Sequence, residues 1–230
     1  MCKKVTLIWA LMCMLVMTAF AANKRFTLVI DPGHGGHDAG ALGAISKEKN
    51  INLAVALRFG KYVEQNLPEV RVIYTRKTDV FIPLNERANI ANRANADLFI
   101  SVHTNALPAG KIARGFETYT LGMHRAKDNL DVAMRENSVI SMEKDYQQRY
   151  QGFDPRSSES YIIFEFIQGK NMERSVELAR MIQRGVCDGA NRPDKGVHQA
   201  GFLVLRETSM PGCLIELGFI TTPDEERLLN

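Results

Sequence analysis

The chain has 230 residues, of which 45% are hydrophobic, 24% charged and 8% aromatic. That composition excludes a disordered tail, a collagen-like repeat and a multi-pass membrane protein, and the length suits one large domain of the α/β type. The formal charge of +3, from 29 Lys and Arg against 26 Asp and Glu, is too even for a nucleic-acid-binding face, so no nucleic-acid partner is expected.

Residues 1–21 read as a secretory signal peptide. Lys3 and Lys4 form a basic start, Val5 to Val16 is almost wholly apolar, and Ala19-Phe20-Ala21 is a small-x-small cleavage site. The apolar run is shorter than the roughly 20 residues of a spanning helix, and no cysteine follows the cleavage site, so no stable membrane anchor is expected. Cleavage would lower the charge to +1 and leave Cys187 and Cys213 as the remaining cysteines. That pair is no disulfide framework; Cys213, in an apolar run, reads as a small core residue.

Phe26 to Asp31 is a continuous apolar run, as a buried parallel strand requires. A glycine-rich loop, residues 31–43, follows. Ile51, Ala54, Val55, Phe59, Tyr62 and Val63 recur at helical spacing up to Pro68. Val70 to Tyr74 predicts a second strand, Leu84 to Ala94 a helix, Asp97 to Val102 a third strand and Phe116 to Leu121 a fourth. Ser175 to Gly189 predicts a helix, and Gly201 to Leu205 and Cys213 to Leu217 two more strands. The last residues, from Glu225, look like the opening turns of a helix that the chain does not complete. This alternation predicts an α/β fold: one domain with a mostly parallel twisted sheet and helices on both faces. Residues 122–170 break the rhythm. They are polar and weakly periodic, and longer than a connection in a compact α/β domain needs to be. They read as an insertion with some helix of its own, the alternative being a surface loop.

Three polar residues fall where strands end. His34 follows the first strand, His103 ends the third, and Glu216 sits inside the last apolar run. Ligands of open α/β sheets bind beyond the carboxyl ends of the strands, where these three side chains would converge if their strands are parallel neighbours. A carboxylate among Leu214, Ile215, Leu217 and Phe219 is costly unless paired or protonated, which makes Glu216 either a general acid-base or a structural acid bonded to an arginine such as Arg206. A loop histidine such as His34 is often merely solvated. His103 needs a polar partner or a metal. Glu48 precedes the first helix, where a carboxylate is favourable in any case. Two His and one Glu would make a catalytic zinc site with an open fourth position, although no HExxH pattern is present.

At these residues the sequence resembles the zinc-dependent N-acetylmuramoyl-L-alanine amidases of the amidase-3 class. The segments that carry the likeness, in order, are LVIDPGHGGHDAGALG (28–43), KEKNINLAVAL (47–57), YTRKTDVFIPLNERANIAN (74–92), ADLFISVHTNA (96–106), GFE (115–117) and GFLVLRETSMPGCLIELGFITTPDEERLL (201–229). The resemblance implies Zn2+ held by His34, Glu48 and His103, and Glu216 as the catalytic residue. The implied reaction cleaves the amide between muramic acid and the L-alanine of the peptidoglycan stem peptide, with Glu216 taking a proton from the attacking water and returning it to the leaving amine. Asn105 and Arg87 lie in matching segments and would contact substrate or brace the ligands; His37, His124 and His198 would lie on the rim.

The insertion resembles that of the amidases of Gram-negative cell division, in which a helix covers the zinc, a Glu from it fills the open position, and an activator protein displaces it. Glu136, Glu159 and Glu165 are the candidates here, with Glu159 favoured because it precedes the apolar run Tyr161 to Phe166. The reading is a monomeric, secreted enzyme of the periplasm or cell envelope, acting in cell-wall remodelling and daughter-cell separation. The alternatives are another zinc hydrolase such as a polysaccharide deacetylase, and a peptidoglycan-binding or docking module without turnover.

Overall fold

The computed structural model describes residues 25–123, 126–165 and 171–230. The signal segment 1–21, His124 and the side chain of Glu165 lie outside the described residues. A six-stranded sheet runs in the order β2-β1-β3-β6-β4-β5. Its strands are β1 (Thr27–Pro32), β2 (Arg71–Tyr74), β3 (Leu98–Asn105), β4 (Phe116–Leu121), β5 (Asp194–Ala200) and β6 (Gly212–Phe219). β2, β1, β3 and β6 are mutually parallel; β4 runs antiparallel to β6, and β5 is parallel to β4. The sheet is therefore mostly parallel, and β1, β3 and β6 are adjacent parallel strands.

Each strand splits its apolar side chains between two cores. Leu28, Ile30, Ile100, Val102, Cys213 and Ile215 face one side, under α1 (Glu48–Asn66) and α5 (Met172–Gly189). Val29, Phe99 and Leu214 face the other, and α2 (Leu84–Arg93) contributes Ala91 there. Burial on both faces explains why β1 and β6 read as continuous apolar runs rather than alternating ones. Cys213 is such a core residue, and neither it nor Cys187 is in a disulfide.

The stretch after β4 is folded rather than a loop. It forms α3 (Lys127–Asn137), a 3-10 turn (Ser138–Met142), α4 (Tyr146–Arg149) and a second 3-10 segment (Ser158–Glu165). Val132, Ile140, Tyr150, Phe153, Tyr161 and Phe164 from this stretch complete the second core. Its buried Glu143 ties it to the start of α2, accepting bonds from the Leu84 amide at 3.2 Å and the Tyr150 hydroxyl at 2.9 Å.

The sequence misplaces one strand. Gly201 to Leu205 is not a strand: Leu203–Arg206 is a short helix, α6, and the strand is the preceding Asp194–Ala200. β5 is an edge strand whose residues are mostly exposed or half-buried, so its sequence, DKGVHQA, carries no apolar signal. Phe202 to Leu205 are apolar because they are buried in the core that the stretch after β4 completes, not because they lie in a sheet. The closing residues do form a helix, α7 (Pro223–Leu229).

Asp31, at the end of β1, is fully buried and faces Arg87 of α2, whose Nη1 donates to it at 2.8 Å. Burial alone would push this carboxyl up, but Arg87 and the hydroxyls of Thr75 and Ser101 outweigh it and hold the acid below its usual value. An acid held down in the fold contributes stability above its ordinary pKa of 3.8 and loses it as the pH falls below that. Asp31→Asn is expected to cost about 3–5 kcal/mol near neutral pH, because it leaves Arg87 buried without its counter-charge. Urea unfolding should show that cost shrinking as the pH is lowered below the ordinary carboxylate value; a cost independent of pH would contradict the pairing.

Candidate metal centre and active site

His34 follows β1 by way of Gly33, which lies against the ring of His103. A Cβ on Gly33 would stand 2.4 Å from the ring of His103, so only glycine lets the two imidazoles approach. Their ring centroids lie 4.9 Å apart, edge to face. His34 itself has φ +61°, a left-handed conformation that costs energy for a residue with a Cβ. Two buried arginines hold it there. Arg87 Nη2 donates to the His34 carbonyl at 2.9 Å, and Arg76 Nη2 to the Gly33 carbonyl at 2.8 Å.

Glu48 is the first residue of α1, where the helix N-terminus favours a carboxylate. Its Oε1 accepts from the Thr104 amide at 3.0 Å and from Asn52 Nδ2 at 3.1 Å, and its Oε2 from the Ala41 amide at 2.8 Å. His103 comes from the carboxyl end of β3 and Glu216 from β6. Their register places the two side by side.

A fourth group joins His34, Glu48 and His103: Glu136, from the last turn of α3. His34 Nε2 lies 3.1 Å from Glu48 Oε1 and 3.2 Å from Glu136 Oε2. His103 Nδ1 lies 3.2 Å from Glu48 Oε1 and 2.9 Å from Glu136 Oε2. One donor atom from each of these four buried residues falls within 4.8 Å of the others. Yet His34 Nε2 and Glu136 Oε2 align with no hydrogen-bond partner. Within the cluster His103 Nδ1 bonds Glu48 Oε1, but the two unpartnered atoms aimed into it are what a shared cation would satisfy, and two imidazoles with carboxylates are donors that suit zinc. His34 is oriented for it: its Nδ1 is engaged by Asp38 Oδ2 at 2.8 Å, which leaves Nε2 facing the cluster.

The charges of these groups are strongly linked. Burial opposes charge on His34, but Glu48 and the contacts to Asp38 and Glu136 outweigh it and push the imidazole well above its ordinary value. His103 is raised in the same way, chiefly by Glu136. Burial likewise opposes charge on Glu136, but His103 and Arg135 hold it well below the carboxylate range. Glu216 goes the other way. It is 1% exposed, and neither carboxyl oxygen has a hydrogen-bond partner. Burial and then Glu136 push it well above its ordinary value, against the pull of Arg135. A protonatable carboxyl beside a cluster of metal-type donors is a natural acid-base group.

Arg206 does not pair with Glu216; it bonds Glu207. The arginine near Glu216 is Arg135, whose Nη2 lies 3.8 Å from Oε1. Asn105 sits between the two halves of the site, accepting from Arg135 at 2.9 Å and donating to Glu117. Arg87 is buried and bonded to Asp31, Pro32 and His34, so it braces the ligand loop. His37 packs on Phe81, and His198 lies 3.7 Å from Glu117 beside a cavity of about 790 Å³ that Asn105, Tyr119, Arg135 and Lys195 also line.

Glu159 is not at this cluster. It is exposed, and its carboxylate accepts from the Ser157 hydroxyl. The stretch after β4 reaches the site through Glu136, because α3, not the 3-10 segment, lies over the strand ends. Sequence reasoning also missed Asp38, Arg135 and Glu117. Asp38 alone had a signal, a carboxylate four residues beyond a loop histidine.

The fold and this site define a class, single-domain α/β proteins with a buried centre of His and carboxylate donors beyond the sheet's carboxyl edge. Residues 28–230 match the family described as N-acetylmuramoyl-L-alanine amidase, Amidase_3. The chain is 33% identical over 213 residues to N-acetylmuramoyl-L-alanine amidase AmiA of Escherichia coli K12, covering 91% of this chain and 71% of that one. It is 29% identical over 216 residues to AmiC of another Escherichia coli strain, and there it spans 49% of the relative's length. The solved N-acetylmuramoyl-L-alanine amidase of Clostridium difficile 630 superposes with a TM-score of 0.65 at 29% identity, covering 90% of this chain and 87% of that one. The chain belongs to the amidase-3 family, enzymes that hydrolyse the amide bond joining peptide to glycan in peptidoglycan.

Glu216 gives a stability test. An acid whose pKa is raised in the fold stabilises below its ordinary value of 4.5 and is destabilising as the pH rises above it, because the unfolded chain ionises first. In metal-stripped protein, Glu216→Gln is therefore expected to melt higher than the parent near neutral pH, by roughly 2–4 °C for each kcal/mol recovered. The difference should vanish in acid below the ordinary carboxylate value. A variant that melts lower at neutral pH would show that the carboxylate is structurally required.

Proposed function

We propose that this chain is a zinc-dependent N-acetylmuramoyl-L-alanine amidase of the cell envelope that acts in cell-wall remodelling and daughter-cell separation, with its inserted segment as an autoinhibitory cover. The observation that carries this reading is the convergence of His34, Glu48, His103 and Glu136 on one point. His34 comes from the loop after β1, Glu48 from the first turn of α1 and His103 from β3, and Glu136 comes from α3, laid over them.

His34, Glu48 and His103 would hold the zinc, and Glu136 would take the position that the substrate needs. Bound there, zinc supplies Lewis acidity toward water and an amide carbonyl. The remaining steps belong to the chain. Glu216, ionised, accepts a proton at a carboxyl oxygen from the attacking water. It then delivers that proton to the nitrogen leaving as the amine of L-alanine, which is a poor leaving group unless protonated. Its raised affinity for protons suits this shuttle. Asp38 holds His34 in the orientation that presents Nε2, and Arg76 and Arg87 hold the loop that carries it.

While α3 is in place, Glu136 and its neighbour Arg135 face the two working parts of the site together. Arg135 bonds Glu136 at 2.9 Å and the Ala106 carbonyl at 2.9 Å, and stands near Glu216. An activator protein that draws α3 away would release both. Among the described residues no helix is long and apolar enough to cross a membrane.

On intact peptidoglycan, zinc-loaded protein with Glu136→Gln is expected to release L-alanine amino termini at least about tenfold faster than the parent without any activator, the effect of about 1.4 kcal/mol of lost closure. Glu159→Ala should match the parent. Glu216→Gln in the Glu136→Gln background should lose about 10²–10⁴-fold, the usual worth of a general acid-base. New amino termini can be counted by amine labelling. A Glu136→Gln enzyme no faster than the parent would remove the autoinhibitory reading, and release of acetate instead of peptide would replace the amidase with a deacetylase.

A further inference from the structure

The loop that leads to Glu48 has little to hold it. Residues 42–46 make a tight turn, closed by a bridge between Leu42 and Lys47 and by the Gly43 amide on the Ser46 carbonyl. The apolar side chains of this turn, Leu42 and Ile45, are 64% and 69% exposed, so no core contact anchors it. Its anchor comes from the other end of the chain. Glu226, buried on α7, accepts from the amides of Ala44 at 3.0 Å, Ile45 at 2.8 Å and Ser46 at 2.8 Å, and from the Ser46 hydroxyl at 2.9 Å. The turn is moulded to this carboxylate: a Cβ on Gly43 would stand 2.0 Å from Glu226 Oε1.

The turn in turn sets Glu48. The Ala41 amide donates to Glu48 Oε2, and the Glu48 amide donates to the Ala41 carbonyl at 3.0 Å. That engagement of Oε2 leaves Oε1 as the oxygen beside both histidines. We propose that Glu226 is a positioning residue of the metal centre: its carboxylate shapes the 42–46 turn so that the Ala41 amide aims Glu48 at His34 and His103. The inference rests on Glu48 being a metal ligand. It gives α7 a task at the site although α7 contributes no group to it.

The neighbouring Glu225 is the internal comparison. It is equally buried on α7, but it accepts from the Gly115 and Phe219 amides and pairs with Arg192, with no bond to the turn. If the acids of α7 serve stability alone, Glu225→Gln and Glu226→Gln should behave alike. If Glu226 positions Glu48, the two should separate in metal affinity.

The test is zinc affinity of the full mature chain, measured by competition with a chromophoric chelator and independent of turnover, together with the melting temperature of the metal-stripped protein. Glu226→Gln is expected to weaken zinc binding by about 10–100-fold, the range for lost partners of a metal ligand. Glu225→Gln should lower the melting temperature while leaving affinity within about twofold. Where Glu226→Gln does not fold, Glu226→Asp serves instead; it keeps the charge but is too short to reach all three amides, and it should weaken binding in the same direction. Affinity within about twofold of the parent in the folded Glu226 variant overturns the proposal. So does an equal loss in Glu225→Gln, which would reveal general loosening. Glu48→Ala separates this failure from that of the metal assignment: unchanged zinc affinity there would remove the ligand itself, and the role of Glu226 with it.

Discussion

Two buried imidazoles and three buried carboxylates share one small volume at the carboxyl edge of the sheet, and their charges must balance inside it. Ionised groups out of water are costly unless each finds an opposite charge or a cation. The protein meets this with close contacts among His34, His103, Glu48 and Glu136, and with one carboxyl, Glu216, pushed toward its neutral form. That division yields both metal-type donors and a protonatable carboxyl from side chains of the same type, separated only by what surrounds them.

Holding such a cluster requires backbone that would not otherwise stay in place. His34 sits at a left-handed φ, and its loop is held through carbonyls by Arg76 and Arg87. Arg87 is itself neutralised by Asp31, the residue that ends the apolar run of β1. The charge at the end of that strand and the position of the first histidine are therefore one arrangement. The turn before Glu48 is held in a comparable way by a carboxylate at the far end of the chain.

The stretch after β4 serves two ends. Its aromatic and aliphatic side chains complete one of the two cores, while the last turn of α3 sets Arg135 and Glu136 at the site. Under the proposed autoinhibition, a helix packed into the core would open only with binding energy from a partner that prefers the open form. Arg135, at the helix C-terminus where a cation is favoured, ties α3 to Asn105 and Ala106, next to the strand end that carries His103.

Much of this was legible in the chain itself. Continuous apolar runs mark β1, β3 and β6 because strands buried on both faces admit few polar residues, and for the same reason a polar residue at their ends, His34, His103 or Glu216, stands out. Local sequence did not reveal β5, whose edge position removes the apolar pattern, nor α6, whose burial imitates one. Among the acids of the insertion, neither composition nor periodicity separates Glu136 from Glu159: each is a glutamate in a polar stretch, and only the packing of α3 across the strand ends buries one and leaves the other in water. Glu226 and Arg135 were hidden for a related reason. Their partners lie 180 and 30 residues away in sequence, and contacts of that range exist only once the sheet has brought the ends of the chain together. Sequence by itself determined which chemical groups the site contains, since residue identity sets the donors; tertiary structure decided their orientation, their charge and what covers them, because each of these depends on neighbours that the chain meets only when folded.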